Sequence, residues 1–235
     1  MSEASHIERL AGLTCRVWRA TSQPAAGLAF LLHGLGGDEN SMAVFRPALP
    51  SRLLVVSPRA PFVVSPGGNS WHTQLAGHNW PLLEDFDAST SYVAALVDAL
   101  GEPGQLTHPL LIVGFSQGAA AAAAFAFEHR ILVDGLALLA GFVPHPSGLA
   151  RIDQPLRGLP TFVANGTLDT TVPPKKANEA IGLLRAAGAS LTSCDAPIGH
   201  KVSAQCVRAL GEWAGLVVGV AVKKNVAWRE GMWDP

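Results

Sequence analysis

Residues 110–118 read LLIVGFSQG and join an apolar run to an alanine-rich segment. Four apolar residues followed by a segment of helical composition predict a buried strand that turns directly into a helix. A serine in such a tight turn adopts unfavourable backbone angles, so the residues two positions away on each side must be small. Gly114 and Gly118 meet this requirement on the two sides of Ser116. The stretch therefore predicts a strand–turn–helix unit that projects the Ser116 hydroxyl above a sheet.

The rest of the chain repeats this alternation of short apolar runs and longer helical segments. The predicted strands are Cys15–Arg19, Leu28–Leu32, Leu53–Ser57, Leu110–Gly114, Gly135–Leu139, Thr161–Ala164 and Ser190–Cys194. The predicted helices are Glu39–Ala48, Ala88–Leu100, Gln117–Arg130, Pro174–Ala187 and Val202–Leu216. Such alternation is typical of an α/β fold with a mainly parallel sheet covered on both faces. We expect one domain over residues 1–235, with a C-terminal tail, 223–235, of unassigned role.

Composition excludes several classes of protein. Lys and Arg number 17 against 18 Asp and Glu, so the formal net charge is −1 and no basic patch for nucleic acid is expected. Hydrophobic residues make up 49% and charged residues 15%, which excludes a mainly disordered chain. No apolar stretch approaches the roughly 20 residues that span a bilayer, and the N-terminus has no secretory signal. We expect a soluble cytoplasmic protein, and the low charge with a tryptophan-bearing tail favours a homodimer.

The cysteines and histidines predict neither a metal site nor a disulfide framework. Cys15, Cys194 and Cys206 are an odd number without C-x-x-C spacing. We interpret Cys194 and Cys206 as small buried apolar residues. His72 and His78 do not form a closely spaced ligand pair. No cofactor is expected.

The Ser116 hydroxyl needs a base, because it is a weak nucleophile near neutral pH. In a strand–turn–helix arrangement of this kind, the order along the chain is serine, acid, histidine. His129 should end the helix that begins at Gln117, and His145 is a minor candidate just past a strand end. His200 precedes the last predicted helix, in a loop at the carboxyl edge of the sheet. The sequence therefore predicts His200 as the base.

The base needs an acid that orients it, and Asp169 has the best position. It directly follows the strand Thr161–Ala164, at the carboxyl edge of a parallel sheet where site residues gather. Asp134 and Asp153 precede strands and should lie at the opposite edge. Asp195 should lie within or beside a strand. We predict Asp169 as the acid.

An acyl-transfer site also needs N–H donors for the oxyanion. One should be the backbone N–H of Gln117, the residue after the nucleophile. The other should come from the glycine-rich turn at 33–37, which follows the strand Leu28–Leu32. His33 is expected to order this turn through hydrogen bonds.

Seven short motifs then occur in order along the chain. They are HGLGGD at 33–38, SPRAP at 57–61, Ser70-Trp71, GFSQG at 114–118, GFVP at 141–144, GTLDTTVP at 166–173, and Gly199-His200. Together they resemble the phospholipase/carboxylesterase family of α/β-hydrolases, which includes the acyl-protein thioesterases. The resemblance covers about residues 28–217. It implies an α/β-hydrolase fold, here with no large cap domain, and hydrolysis of carboxylic esters or thioesters without a metal.

Carried over residue by residue, the resemblance implies the roles of several side chains and amides. The family's catalytic triad falls on Ser116, Asp169 and His200, and its oxyanion amides fall on Leu35 and Gln117. It also implies that Trp71 and the segment after Gly141 border an acyl-binding groove. The candidate substrate contacts are Trp71, Leu75, Phe142 and Val143, although Trp71 is equally well explained as an anchor of the core or of its loop.

The sequence therefore predicts a serine carboxylic ester hydrolase, with thioesters or lysophospholipids as further substrate classes. One alternative is a dienelactone-hydrolase-like or peptidase-like enzyme of the same fold, although the dienelactone enzymes carry cysteine as the nucleophile. Another alternative is a catalytically silent α/β-hydrolase that serves as a binding module. A silent module would not react with a serine-directed probe at Ser116.

Overall fold

The computed structural model describes residues 4–64, 66–73, 80–101, 109–145 and 153–230, with side chains as far as residue 221. The strands are β1 Ser5–Leu10, β2 Leu13–Trp18, β3 Leu28–Leu32, β4 Leu54–Pro58, β5 Phe62–Val63, β6 Asn69–Ser70, β7 Leu110–Phe115, β8 Gly135–Leu139, β9 Pro160–Gly166 and β10 Ser190–Ala196. The α-helices are α1 Asp87–Leu100, α2 Gln117–Glu128, α3 Pro174–Ala186 and α4 Ala204–Glu230. Short 3₁₀ helices span Ala43–Ala48, Leu83–Phe86 and Arg130–Leu132.

Eight of these strands form one sheet in the order β1-β2-β4-β3-β7-β8-β9-β10. The first three pair antiparallel, and every neighbouring pair from β4 to β10 is parallel. Strands β5 and β6 form a small separate pair. The carboxyl ends of the parallel strands therefore meet at one edge, where loops from β3, β7, β9 and β10 come together. The predicted α/β-hydrolase fold, with a mainly parallel sheet flanked by helices, is confirmed.

The sheet is buried on both faces because alternate residues of each central strand point in opposite directions. In β3, Leu28, Phe30 and Leu32 join the core that contains α1, α2 and α3. Ala29 and Leu31 join the other core, on the face covered by α4 and the 3₁₀ helix Ala43–Ala48. This two-sided burial explains why the strands read as continuous apolar runs.

Helix α2 is buried along most of its length. Its residues 119–124 are all alanine, and each is buried. The helix contacts α1 on one side and strands β3, β7 and β8 on the other. Small side chains allow this close approach from both sides, which holds the start of α2 firmly against the sheet.

Several sequence-based assignments differ from the structure, and the short strands β5 and β6 are among the elements that were not predicted. Strand β1 was not predicted, and it pairs with β2 at the edge of the sheet. The predicted helix Glu39–Ala48 is wrong in its first half, because the Asp38 carboxylate accepts the Asn40 and Ser41 N–H groups and forms a turn. The last helix starts at Ala204 but runs to Glu230, well past the predicted end.

The interpretation of Cys194 and Cys206 as separate apolar residues is also wrong. Cys194 in β10 and Cys206 in the first turn of α4 form a disulfide, with their Cα atoms 5.6 Å apart. Helix α4 packs back against β10 after a short loop, so residues 12 positions apart become neighbours. Cys15 is free and buried. The cysteines therefore give no support for the expected cytoplasmic location.

A helix that crosses a lipid bilayer needs about 20 mainly apolar residues. Over the described ranges, no helix combines the length and the apolar character that such a crossing requires. Helix α4 is the longest at 27 residues, and its polar positions interrupt the apolar ones.

Candidate active site

Ser116 occupies the turn between β7 and α2. Its backbone angles are φ 54° and ψ −118°, in the left-handed region that residues with a side chain rarely adopt. The Ser116 N–H donates to the carbonyl of Leu139 in β8 at 2.9 Å. The turn is thus tied to the neighbouring strand, and it raises the hydroxyl above the carboxyl edge of the sheet.

Two glycines make this turn sterically possible. A Cβ on Gly114 would lie 2.1 Å from the carbonyl oxygen of Gly118. A Cβ on Gly118 would lie 2.1 Å from the carbonyl oxygen of Leu32, at the end of β3. The predicted requirement for small residues on both sides of Ser116 therefore has a direct cause, which is backbone contact within the turn and with β3.

His200 lies between Ser116 and Asp169. Its Nε2 is 2.9 Å from the Ser116 Oγ, and its Nδ1 is 2.7 Å from the Asp169 Oδ2. Because the carboxylate only accepts, Nδ1 carries the proton, and Nε2 is left to accept the serine O–H. The arrangement can therefore take the serine proton during attack on a carbonyl carbon.

Asp169 is held rigidly at the end of β9. Its Oδ1 accepts the N–H groups of Thr171 and Val172 at 2.8 and 2.9 Å. The Asp169 side chain is 2% exposed, whereas that of His200 is 23% exposed. The carboxylate is buried and fully bonded, and the imidazole can reach a ligand from the solvent side.

The turn after β3 lies directly beside Ser116. A Cβ on Gly34 would lie 3.3 Å from the Ser116 Cβ, so the Gly34 backbone passes close to the nucleophile. The Gly34 carbonyl oxygen is 2.7 Å from His33 Nδ1, which must donate to it. In a trans peptide the C=O and N–H point in opposite directions, so this bond turns the Leu35 N–H away from His33.

His33 is itself fixed from the other side. It is fully buried, and its Nε2 accepts the Ala60 N–H at 3.0 Å. Burial lowers the pKa of His33 below its ordinary value of 6.5, which keeps the ring neutral and able to make both bonds. The sequence expectation that His33 orders this turn agrees with these contacts.

Gln117 contributes a free backbone N–H and a bonded side chain. In the part of the chain that the structure describes, neither the Gln117 N–H nor the Leu35 N–H donates to a backbone carbonyl. The Gln117 side chain accepts the Trp71 N–H at 3.0 Å and donates to the Ser70 Oγ at 2.9 Å. The side chain of the residue after the nucleophile therefore anchors the loop that follows β6, a role that sequence reasoning did not find.

Trp71 is an anchor in this structure. It is completely buried, and its indole N–H donates to the His33 carbonyl at 2.7 Å. Its ring also contacts the His33 ring, with 5.3 Å between centroids. A side chain with no exposed surface cannot form the wall of a groove, so the structure favours the anchoring interpretation of Trp71 over the substrate-binding one.

The other candidate substrate contacts lie mainly under the surface. Phe142 and Val143 are 8% and 7% exposed, and Phe142 packs edge-on against Trp80. Leu75 lies outside the described residues. Larger exposed apolar surfaces belong to Leu35 and Leu168, each 64% exposed. Leu168 directly precedes Asp169, so both leucines lie on loops that carry groups of the candidate site.

An ion pair between the buried Glu39 carboxylate and the exposed Arg59 side chain braces the turn after β3. Arg59 donates through Nε and Nη2 to the two Glu39 carboxylate oxygens, at 2.7 and 2.9 Å. Glu39 is 3% exposed, and its hydrogen bonds from Arg59 hold the pKa of the carboxyl below its ordinary value. The sequence gives no sign of this pair, because residues 20 positions apart meet only in the folded chain.

Over the described ranges, no three His, Cys, Asp or Glu residues lie close enough together to hold a metal ion.

The chain matches the family model described as phospholipase/carboxylesterase over residues 13–214. A carboxylesterase from Mesorhizobium loti is similar in structure, with 22% sequence identity, coverage of 90% of this chain and 98% of that one, and a TM-score of 0.76. A Bacillus cereus carboxylesterase has 24% identity, coverage of 87% and 94%, and a TM-score of 0.73. Acyl-protein thioesterase 2 of Zea mays has 21% identity, coverage of 87% and 98%, and a TM-score of 0.70. At these identities the solved structures establish the shared fold.

Proposed function

Because the chain belongs to the phospholipase/carboxylesterase family, we propose that it is a serine hydrolase of carboxylic esters or thioesters. The observation that carries this proposal is the continuous hydrogen-bonded series from Asp169 through His200 to Ser116, with distances of 2.7 and 2.9 Å. A nucleophile, a base in contact with it, and a buried acid that orients the base are the three parts that acyl transfer requires.

In the first half of the reaction, His200 Nε2 takes the proton of Ser116 as its Oγ attacks the acyl carbon. Asp169 keeps the imidazole in the required tautomer and stabilises the cation that forms. The Leu35 and Gln117 N–H groups stabilise the negative charge on the carbonyl oxygen, and each such donor typically contributes about 10²–10³ in rate. The imidazolium then protonates the departing alcohol or thiol, and the acyl group stays on Ser116.

In the second half, water replaces the leaving group. His200 removes a proton from the water as its oxygen attacks the acyl-enzyme, and the same two N–H groups stabilise the second oxyanion. Collapse of this intermediate returns the proton to Ser116 and releases a carboxylic acid.

Two features bear on the substrate. The exposed side chains of Leu35 and Leu168 lie on the loops that carry an oxyanion amide and the acid, so an apolar acyl or alkyl group would contact them. No long insertion separates β7 from α2 or β9 from α3. We therefore expect acceptance of small or medium apolar esters, with thioesters and lysophospholipids as further candidates.

Two other predictions accompany this proposal. Assembly as a homodimer and a cytoplasmic location stay predictions. A dienelactone-hydrolase-like or peptidase-like enzyme of the same fold and a catalytically silent binding module stay the alternative functions.

The test is hydrolysis of p-nitrophenyl esters from acetate to palmitate, together with labelling by a fluorophosphonate probe. We expect wild-type protein to label at Ser116 and to hydrolyse the shorter esters. Ser116→Ala should lose the label and about 10⁴-fold or more in kcat. Ser91→Ala is the matched control, because Ser91 is an exposed serine on α1 that bonds only to the Asp87 carbonyl in the described structure.

Each result separates the alternatives. Absence of both label and turnover in folded wild-type protein would favour the silent binding module. Full activity in Ser116→Ala would refute the assignment of the nucleophile. Labelling without ester turnover would point to a narrower substrate, such as a lactone or a peptide acyl group.

A further inference from the structure

The loop that carries His200 lies inside a covalent ring. It leaves β10 after Ala196 and enters α4 at Ala204, and the disulfide joins the two elements across it. His200 is six residues from Cys194 and six from Cys206, at the centre of the ring. A crosslink so placed fixes the separation of the two elements from which the loop is suspended.

Hydrogen bonds hold the two halves of this loop unequally. Before His200, N–H groups of the loop that carries Asp169 donate to the Ala196 and Ile198 carbonyls, at 2.8 and 3.0 Å. After His200, the Lys201 N–H donates to the Gly199 carbonyl at 2.7 Å, within the loop itself. The described bonds made by Ser203 join it to the first turn of α4, and none of these bonds reaches the loop that carries Asp169. The second half of the loop is therefore positioned by the packing of α4 and by the disulfide.

The His200 imidazole must be placed accurately, because it makes two hydrogen bonds at once. Both of its nitrogens make hydrogen bonds, at 2.7 Å to Asp169 and 2.9 Å to Ser116. A displacement of about 1 Å would lengthen at least one of these bonds beyond useful range, and such a shift can lower the rate about 10²-fold.

We propose that the Cys194–Cys206 disulfide is a positioning element that holds His200 in contact with both Ser116 and Asp169, so that turnover depends on the redox state of this pair. The inference rests on the proposed function of Ser116. The cysteines do not touch substrate. They act through the loop between them.

The disulfide lies where a small thiol can reach it. Cys206 is 1% exposed, but Cys194 is half-buried on β10, an edge strand of the sheet. A dithiol reductant attacks one sulfur through its thiolate, and its second thiol then resolves the mixed disulfide. The protein gains two thiols, and the reductant becomes a cyclic disulfide, so two electrons and two protons are transferred.

The third cysteine does not interfere with this chemistry. Cys15 is fully buried in β2, and burial raises the pKa of its thiol to about 12. A thiol that is almost entirely protonated at neutral pH reacts slowly with disulfides and alkylating reagents. Cys15→Ala is therefore a matched control, because it removes a cysteine and keeps the ring.

The experiment compares full-length protein in its air-oxidised form, after reduction by dithiothreitol, and after re-oxidation. It also includes the double variant Cys194→Ala/Cys206→Ala. For each form, kcat and KM for a p-nitrophenyl ester and the rate of fluorophosphonate labelling are measured. Alkylation followed by mass spectrometry counts the free thiols, and urea unfolding verifies that each form is folded under the assay conditions.

If the proposal holds, reduction lowers kcat about 10- to 100-fold, with KM changed less than about twofold. The labelling rate falls in parallel, and re-oxidation restores both. The double variant resembles the reduced form and does not respond to dithiothreitol, whereas Cys15→Ala responds like wild type. A disulfide that only stabilises the fold would lower the resistance to urea and leave kcat of the folded protein unchanged.

Several outcomes would overturn the proposal. Equal kcat in the oxidised and reduced forms would overturn the positioning role and leave the proposed function intact. A double variant as active as the oxidised protein would also overturn the positioning role, as would free alkylation of Cys194 and Cys206 in air-oxidised protein. If the oxidised protein neither labels nor hydrolyses, the proposed function itself fails, and the positioning role fails with it.

Discussion

Replacement of Gly118 by alanine tests the contact between the start of α2 and the end of β3. The new Cβ would lie 2.1 Å from the Leu32 carbonyl oxygen and 2.5 Å from that of His33. Real contacts of a Cβ essentially never fall below 3.0 Å, so the two elements must separate by about 1 Å. Both obstacles are backbone atoms, and no side-chain rotation can relieve them.

This separation would act on the two proposed oxyanion donors together. The Gln117 N–H moves with α2, and the Leu35 N–H follows β3 two residues after His33. Donors act at 2.7–3.1 Å from the oxyanion, so a shift of about 1 Å should cost as much as the loss of one donor. We expect kcat to fall about 10²–10³-fold, and the free energy of unfolding to fall by about 1–3 kcal/mol from overpacking.

The assay combines ester hydrolysis with urea unfolding and uses Gly182→Ala as the control. Gly182 lies in α3, and a Cβ there would meet no heavy atom within 4 Å. Alanine in a helix should stabilise the control by about 0.5–1 kcal/mol and leave kcat unchanged. Wild-type kcat and stability in Gly118→Ala would refute the steric argument. Lost stability with full kcat would show that the contact does not position the donors.

Two further predictions concern charged groups. Asp169→Asn should keep the fold, because Oδ1 can still accept the two N–H groups at 171–172, but its amide would face His200 Nδ1 and force the wrong tautomer. We expect kcat to fall about 10⁴-fold with little change in urea unfolding, and a fall below tenfold would contradict the proposed role of the acid. Glu39→Gln should lower the free energy of unfolding by about 1–2 kcal/mol at neutral pH, because it weakens the bidentate pair with Arg59. The hydrogen bonds from Arg59 lower the pKa of Glu39 below 4.5. The difference in free energy of unfolding between wild type and Glu39→Gln should therefore be largest above pH 4.5 and become smaller as the pH falls further. If urea titrations show a difference that does not depend on pH, the assignment is contradicted.

The parts of the fold that the sequence predicts are those set by local pattern. Six predicted strands, from Leu28–Leu32 to Ser190–Cys194, overlap β3, β4, β7, β8, β9 and β10. The first five are apolar runs because the sheet is covered on both faces there, whereas β10 is a largely exposed edge strand. The position of Asp169 and His200 after predicted strands distinguishes them from the other acids and histidines of the sequence. The structure brings their side chains to Ser116, since the carboxyl ends of parallel strands meet at one edge.

The parts that sequence reasoning missed depend on distant residues. Gln117 bonds to Trp71 across 46 positions, and nothing in either local sequence indicates that contact. Arg59 meets Glu39 only because β4 lies beside β3. The only sign of the disulfide in the sequence is that Cys194 and Cys206 lie at equal distances on either side of His200. That the two sulfurs meet cannot be inferred without knowing that α4 packs back against β10.

The alanine-rich helix α2 should tolerate amino-acid substitutions much less well than the loops around the candidate site. The helix contacts the sheet on one side and α1 on the other, and residues 119–124 are all buried, so larger side chains there would overpack the core beside Ser116. A library of variants selected for activity should therefore accept almost no change along this helix. New substrate preferences would have to arise on the loops around Leu35 and Leu168, where these side chains are exposed. To change the substrate preference of this protein, one should keep the sequence of α2 and randomise exposed positions on these two loops.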